Sequence, residues 1–289
     1  TYTFTGERFT IKSVESDKSD KGIYRINDDY GISYYYRGSV TNNNIVFNGM
    51  NWKILRINGD GSIRIILSSD IGKYAFNSSY NAPAYGGYMY GNDLSSYKSS
   101  IKNEINSTAK EALDEWYTKY FSNTNMSKYI SDAGFCNDRS ISNGDGFSTN
   151  NITNFGAYNR NSNNAASLIC PQIDNDLFTT NDSEIGNKVL TYPIGLITSD
   201  ELQIAGATKS KINRQFFLEY ETYWTMSPSL YLPTYNCTTN LHYISDGYIH
   251  NSHSVNSKYY LRPVISLKSD IEISGGIGTV NEPFVIKTE

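Results

Sequence analysis

All three histidines of the chain, His242, His250 and His253, fall in one twelve-residue window. Imidazoles clustered at fixed spacing are what a zinc site requires. His250 and His253 would chelate from one helical face, but Tyr248-Ile249-His250-Asn251-Ser252-His253 reads as turn and strand and no His-Glu-x-x-His motif is present, so no metal is expected. The 29 acidic residues offer many carboxylate pairs for glycoside chemistry, none of them marked by its surroundings. Asp200 and Glu201 have a sufficient role as helix-start residues. Asn143-Gly144-Asp145-Gly146 lacks the remainder of an EF-hand loop. Phosphate-loop and dinucleotide fingerprints are absent, and Gly275-Gly276-Ile277-Gly278 reads as a hairpin turn, so no cofactor is expected. The three cysteines form no C-x-x-C pair. Two readings stay open for them: a Cys136–Cys170 disulfide with Cys237 free, or three unconnected thiols. A 136–170 link would close a polar loop of 34 residues and stabilise the fold by about 3–4 kcal/mol in the chain-entropy model.

The elements that would position these residues are read from periodicity. Residues 44–68 form a three-stranded meander, with Asn58-Gly59-Asp60-Gly61 as its tight turn. Ile101, Ile105, Ala112, Leu113, Trp116 and Tyr120 share one face of a helix over 97–121 capped by Ser96. Thr198 and Glu201 make a capping box that opens a short helix ending near Gly206. Phe216–Trp224 is aromatic and strand-like, Leu261–Leu267 is a strand, and 275–286 is a final turn and strand. Residues 122–187 carry little periodicity, and residues 1–33 read as a lead-in strand and loop before one elaborated domain over 34–289.

Composition limits the function classes. Net charge is −4, so a nucleic-acid binder with its clustered basic residues is not expected. Charged residues are only 19 % while aromatics reach 14 %, including 25 Tyr, which suits a folded chain with an uncharged surface for glycan or protein partners. No apolar run is long enough to span a bilayer. The start at Thr1 without Met suggests an ectodomain whose export or anchoring segment lies upstream.

Between Trp224-Thr225-Met226-Ser227-Pro228 and Leu261-Arg262-Pro263-Val264-Ile265 the vocabulary changes to that of a paratope. Tyr supplies broad contact area with few rotors to freeze, and Ser and Asn supply adaptable hydrogen bonding. The candidate ligand contacts within 229–260 are Tyr231, Tyr235, Asn236, Asn240, His242, Tyr243, Asp246, Tyr248, His250, Asn251, His253, Asn256 and Tyr259. Trp224, Pro228, Arg262 and Pro263 would hold the ends of this face. Leu241, Ile244, Ile249 and Val255 are spaced to pin it to a core below.

Tyr35-Tyr36-Arg37-Gly38-Ser39-Val40, Trp52-Lys53-Ile54-Leu55-Arg56-Ile57, Tyr223-Trp224-Thr225-Met226-Ser227-Pro228 and Leu261-Arg262-Pro263-Val264-Ile265-Ser266-Leu267 resemble a family of surface proteins of gut Firmicutes. That family is similar to the C-type-lectin fold of formylglycine-generating-enzyme-like proteins and of the variable proteins of diversity-generating retroelements. The resemblance implies an α+β fold of antiparallel strands, two helices and long irregular loops, holding a backbone fixed while exposed side chains vary. Confinement of the histidines to 242–253 fits adenine-directed mutagenesis of Asn codons. Only Cys237 stands near the position of the enzyme's catalytic cysteines, so that activity is not carried over. The resulting expectation is a non-enzymatic, extracellular, cell-surface binding domain whose partner is a protein or glycan on another cell, a phage or a host. A fixed-specificity carbohydrate-binding module or adhesin is the alternative, with a secreted hydrolase third.

Overall fold

The structure, a computed structural model, describes residues 2–5, 8–11, 22–207, 217–244 and 247–288. It is a mixed α+β fold, mostly strands in curled sheets with few helices. Ile63–Leu67 is an unbroken apolar-and-Arg run whose five residues are all buried. A strand buried on both faces belongs at the centre of a sheet. It pairs with Met50–Ile57 on one side and Val264–Leu267 on the other, inside a nine-stranded sheet. Asn44–Phe47 follows next to Met50–Ile57, completing the expected meander. The late strand Phe284–Ile286 then lies parallel to Asn44–Phe47, so an early and a late part of the chain close on each other.

Gly22–Asp28 and Gly31–Arg37 form a hairpin that joins this sheet where Tyr34 and Tyr35 face Ile57 and Arg56. The second strand of the hairpin runs across the boundary drawn at 33/34, so residues 22–33 are part of the main sheet. A second, seven-stranded sheet contains Thr153–Phe155, Tyr223–Leu232, Cys237–Ile244 and Tyr248–His250 in antiparallel order. Lys258–Tyr260 adds to it, parallel at Tyr223 and antiparallel to Lys73–Ala75. Apolar side chains of both sheets, among them Trp52, Ile65, Trp224, Met226 and Leu241, share one core. Strand pairing in the last apolar run begins only at Val264, and Phe216 lies outside the described residues.

The helix expected over 97–121 is two helices. Ser96 does cap the first, Tyr97–Ser100, through a capping box with Ser99. The chain then leaves the helix, because Asn103 donates to Asn175 O at 2.9 Å and accepts from Arg139 Nη2 at 2.9 Å. Ile105–Asn106 pairs with Met89–Tyr90, and Ser107 caps a second helix, Thr108–Tyr117. Long-range polar contacts thus override a locally helical pattern. Trp116 still meets the sheet, edge-on to Trp52 at 6.1 Å. Thr198 and Glu201 do form a capping box, opening Ser199–Ala205, which ends at Gly206.

The Asn58–Gly61 turn forms, with Gly61 N donating to Asn58 O at 2.9 Å. Only Gly61 uses a positive φ there, +85°. Gly59 is needed for a close approach: its N–H donates to Asp28 Oδ2 at 3.0 Å, and a Cβ on it would sit 2.5 Å from Asp28 Oδ1 and 2.5 Å from Tyr30 C. Those neighbours are a second backbone turn and an ion-paired carboxylate, neither able to give way. Gly59→Ala is therefore expected to cost about 1–3 kcal/mol, the range for overpacking a close-fitted site. Thermal unfolding reads it, with Gly275→Ala, whose added methyl meets nothing within 4 Å, as the control.

Candidate ligand-binding face

The strand Tyr223–Leu232 is the keel of the face. It turns at Pro233–Tyr235 and returns as Cys237–Ile244, which pairs in turn with Tyr248–His250. The chain then passes back beneath, with a Thr239↔Ser254 bridge and Val255 N donating to Thr238 O at 3.0 Å. Thr238 to Tyr243 are six successive buried residues. A polar strand buried on both sides must spend its side chains internally. Asn240 Nδ2 donates to Gly86 O at 3.3 Å, and Tyr243 stacks on Tyr223 at 4.9 Å. Tyr231 Oη donates to Asn236 Oδ1 at 2.9 Å.

The candidate contacts consequently separate into two sets. Tyr231, Asn240, His242 and Tyr243 are each 0 % exposed and cannot be the ligand-facing side chains expected of them. The physical reason is the cover from residues 82–90 and from Trp224, which no local alternation in the sequence announces. Tyr235, at 74 % exposure, stands out at the hairpin tip beside exposed Asn236. His250, His253 and Asn256 are exposed, and Tyr248, Asn251 and Tyr259 are half-buried. These eight, called the rim below, are the candidates with solvent access, Tyr235 and Asn236 at the Cys237 end of the strand and Tyr248 opposite Ile244 at its other end, and the four buried ones are called the floor. Asp246 lies outside the described residues, as does the Ile244 side chain. Leu241, Ile249 and Val255 are buried.

The four end residues are buried as well. Trp224 Nε1 donates to Tyr74 O at 3.1 Å. The Arg262 guanidinium lies 4.6 Å over Tyr220 and 5.0 Å over Tyr223, and its Nε and Nη2 both donate to Leu67 O, at 3.1 and 3.0 Å. It ties the end of the face to the centre of the nine-stranded sheet.

The histidines converge without a helix. Register places His242 opposite His250, and the following turn returns His253 to within 3.2 Å, Nδ1 to His242 Nε2. His242 Nδ1 lies 3.1 Å from Asn240 O, so its proton sits on Nδ1 and its Nε2 lone pair faces His253. Burial pulls the His242 pKa down to about 4, with His253 and His250 adding to the effect. Tyr259 stacks on His242 at 5.3 Å and Trp224 meets it edge-on at 5.4 Å. Strand register, not helical spacing, makes this pairing. Its only signal in the sequence was the compactness of the window.

A second polar centre went unmarked in the sequence. A cavity of about 30 Å³, room for one or two waters, is lined by Asp28, Asp29, Arg56, Arg64, Asp138, Arg160, Asp200 and Glu201 with apolar neighbours. Arg56 bridges Asp28 at 2.6 Å and Glu201 at 3.0 Å, and Arg64 Nε is 3.4 Å from the same Glu201 oxygen. Arg160 holds Asp138 at 2.6 Å and grips Asp200 with two nitrogens at 2.7 and 2.9 Å. Asp29 accepts from Cys170 N at 3.0 Å, and burial raises its pKa. Four of these five carboxylates, Asp28, Asp138, Asp200 and Glu201, are committed to arginines, which is the arrangement of a charge lock between segments. Among the described residues no helix is long and apolar enough to cross a membrane.

No protein-family model, no curated protein and no solved structure matches the chain.

Proposed function

We propose that the chain is a non-enzymatic, surface-displayed ligand-binding domain that reads a protein or glycan on another cell, a phage or a host with the rim Tyr235, Asn236, Tyr248, His250, Asn251, His253, Asn256 and Tyr259. The observation that carries this reading is the segregation of the window into residues with solvent access and a fully buried floor. A face of that kind can change its contacts without disturbing its backbone, which is what a diversity-generating retroelement requires of its variable protein. A C-type-lectin-like scaffold is the finer fold proposed, supported by the closure of Phe284–Ile286 on Asn44–Phe47 and by the long excursion 122–187 between the two sheets' main strands. The Cys136–Cys170 disulfide suits an oxidising, extracellular compartment. The non-enzymatic reading is supported by the pairing of four of the cavity's five carboxylates with arginines.

Sequencing the gene in sister isolates tests the proposal. Substitutions concentrated in the eight rim codons, with codons 231, 240, 242 and 243 constant and a reverse-transcriptase gene nearby, are the expected result. Substitutions spread evenly along the chain would overturn it.

A further inference from the structure

Two imidazole nitrogens at the edge of the face already stand at a chelating distance. Tetrahedral zinc with Zn–N bonds of about 2.0–2.1 Å separates its ligand nitrogens by about 3.3 Å. His242 Nε2 and His253 Nδ1 are 3.2 Å apart. The Nδ1–H of His242 is held by Asn240 O at 3.1 Å, the outer contact that fixes the tautomer and ring orientation of a metal-bound histidine. The ring itself is clamped, stacked at 22° on Tyr259 and edge-on to Trp224. The third ring, His250, is the register partner of His242, with centroids 5.9 Å apart; its side chain is exposed, and its Nδ1 accepts from Ser252 N at 3.2 Å, which leaves Nε2 as the nitrogen for a metal. Among the described residues no three metal-binding side chains are already set round one point. Two nitrogens are in place, and a third ligand would require the His250 ring to turn toward them.

We infer that His242, His250 and His253 form a three-imidazole site for a divalent first-row transition metal of the zinc–copper end of the series. Neutral imidazole suits those ions, whereas calcium and magnesium prefer oxygen ligands. Bound metal would tie the 251–254 turn to the Cys237–Ile244 strand. Three protein ligands leave a fourth position open to water or to a donor on an incoming ligand. The inference stands on these three rings in this chain and is independent of whether the rim varies among isolates or what it binds.

The test is calorimetric titration of tag-free, metal-stripped protein with ZnCl₂, with Co²⁺ absorption as a second readout. The expected result is one saturable Zn²⁺ per chain and a Co²⁺ spectrum of tetrahedral intensity. His253→Asn and His250→Asn change exposed residues, so both are expected to fold, which their melting curves check. Each is expected to weaken Zn²⁺ binding by more than about tenfold, since losing even an outer partner of a ligand typically costs 10–100-fold. No saturable uptake, or uptake that His253→Asn leaves unchanged, would overturn the site. Uptake indifferent to His250→Asn alone would overturn the three-imidazole assignment.

Discussion

Glu201→Gln is expected to destabilise the folded chain by about 3–5 kcal/mol, the cost of leaving a buried charge without its partner. Glu201 is the node of the cavity's charge network. It receives Arg56 at 3.0 Å and Arg64 at 3.4 Å, and its other oxygen accepts from Thr198 N at 2.9 Å. Arg56 keeps Asp28 when Glu201 is neutralised. Among the described residues Arg64 then keeps the Gly134 carbonyl, the Phe135 ring and the more distant Asp28 and Tyr30, and burial already works against its charge. A guanidinium cannot escape by deprotonation, so the fold bears the whole cost. At this chain length the change should lower the melting temperature by roughly 5–8 °C. Glu272→Gln, which breaks the half-exposed pair with Lys287, should change stability by less than about 1 kcal/mol.

The same residue sets an acid limit. Burial alone would raise the Glu201 pKa, but Arg64 and Arg56, helped by the Thr198 N–H, hold it below the ordinary glutamate value. A carboxylate depressed on folding stabilises above its unfolded pKa, about 4.3, and loses that contribution as pH falls through the folded value. The melting-temperature gap between wild type and Glu201→Gln should therefore be fully open at neutral pH and close progressively below about pH 4. A gap that stays constant down to pH 3 would contradict the charge-lock account.

Opening the disulfide carries the second large effect. Cys136 and Cys170 are 34 residues apart in sequence with Cα atoms 5.7 Å apart. In the chain-entropy model a loop of that length is worth about 3–4 kcal/mol. The loop contains Asp138, Arg160 and Arg139, whose Nη2 lies 2.6 Å from the buried Asp176. Reduction should thus loosen the segment that delivers the second half of the charge lock. The double variant Cys136→Ser/Cys170→Ser should melt lower than wild type and become indifferent to reductant, while Cys237→Ser should match wild type. Mass mapping without reduction should find the 136–170 crosslink and one alkylatable thiol, at Cys237.

What local signals govern was legible in the sequence. The meander over 44–68, the Ser96 and Thr198 caps and the helix stop at Gly206 all depend on neighbours within a few residues, and the structure has each of them. The break between Ser100 and Thr108 was not legible, because Asn103 finds its partners at Arg139 and Asn175. The same limit hid the charge lock. Arg56 and Arg64 sit in strand runs where a charge looks like a solvent-facing position, yet their partners Asp28 and Glu201 come from distant segments. In the binding face, residue types pointed to a contact surface but not to its depth. Tyr, Asn and His read as exposed by composition. A strand covered on both sides turns Asn240, His242 and Tyr243 into internal partners, and only their backbone neighbours reveal it.

The separation of rim from floor is the centre of this account, and randomised display measures it directly. One library varies the exposed rim residues Tyr235, His250, His253 and Asn256 and a second varies Tyr231, Asn240, His242 and Tyr243, each scored for protease resistance on the cell surface. Exposed substitutions usually change stability by less than about 0.5 kcal/mol, whereas emptying or mispairing a buried site costs several times that. Most rim variants should stay resistant and, on selection against protein or glycan targets, yield binders, while most floor variants should be degraded. Equal loss from the two libraries would contradict the account.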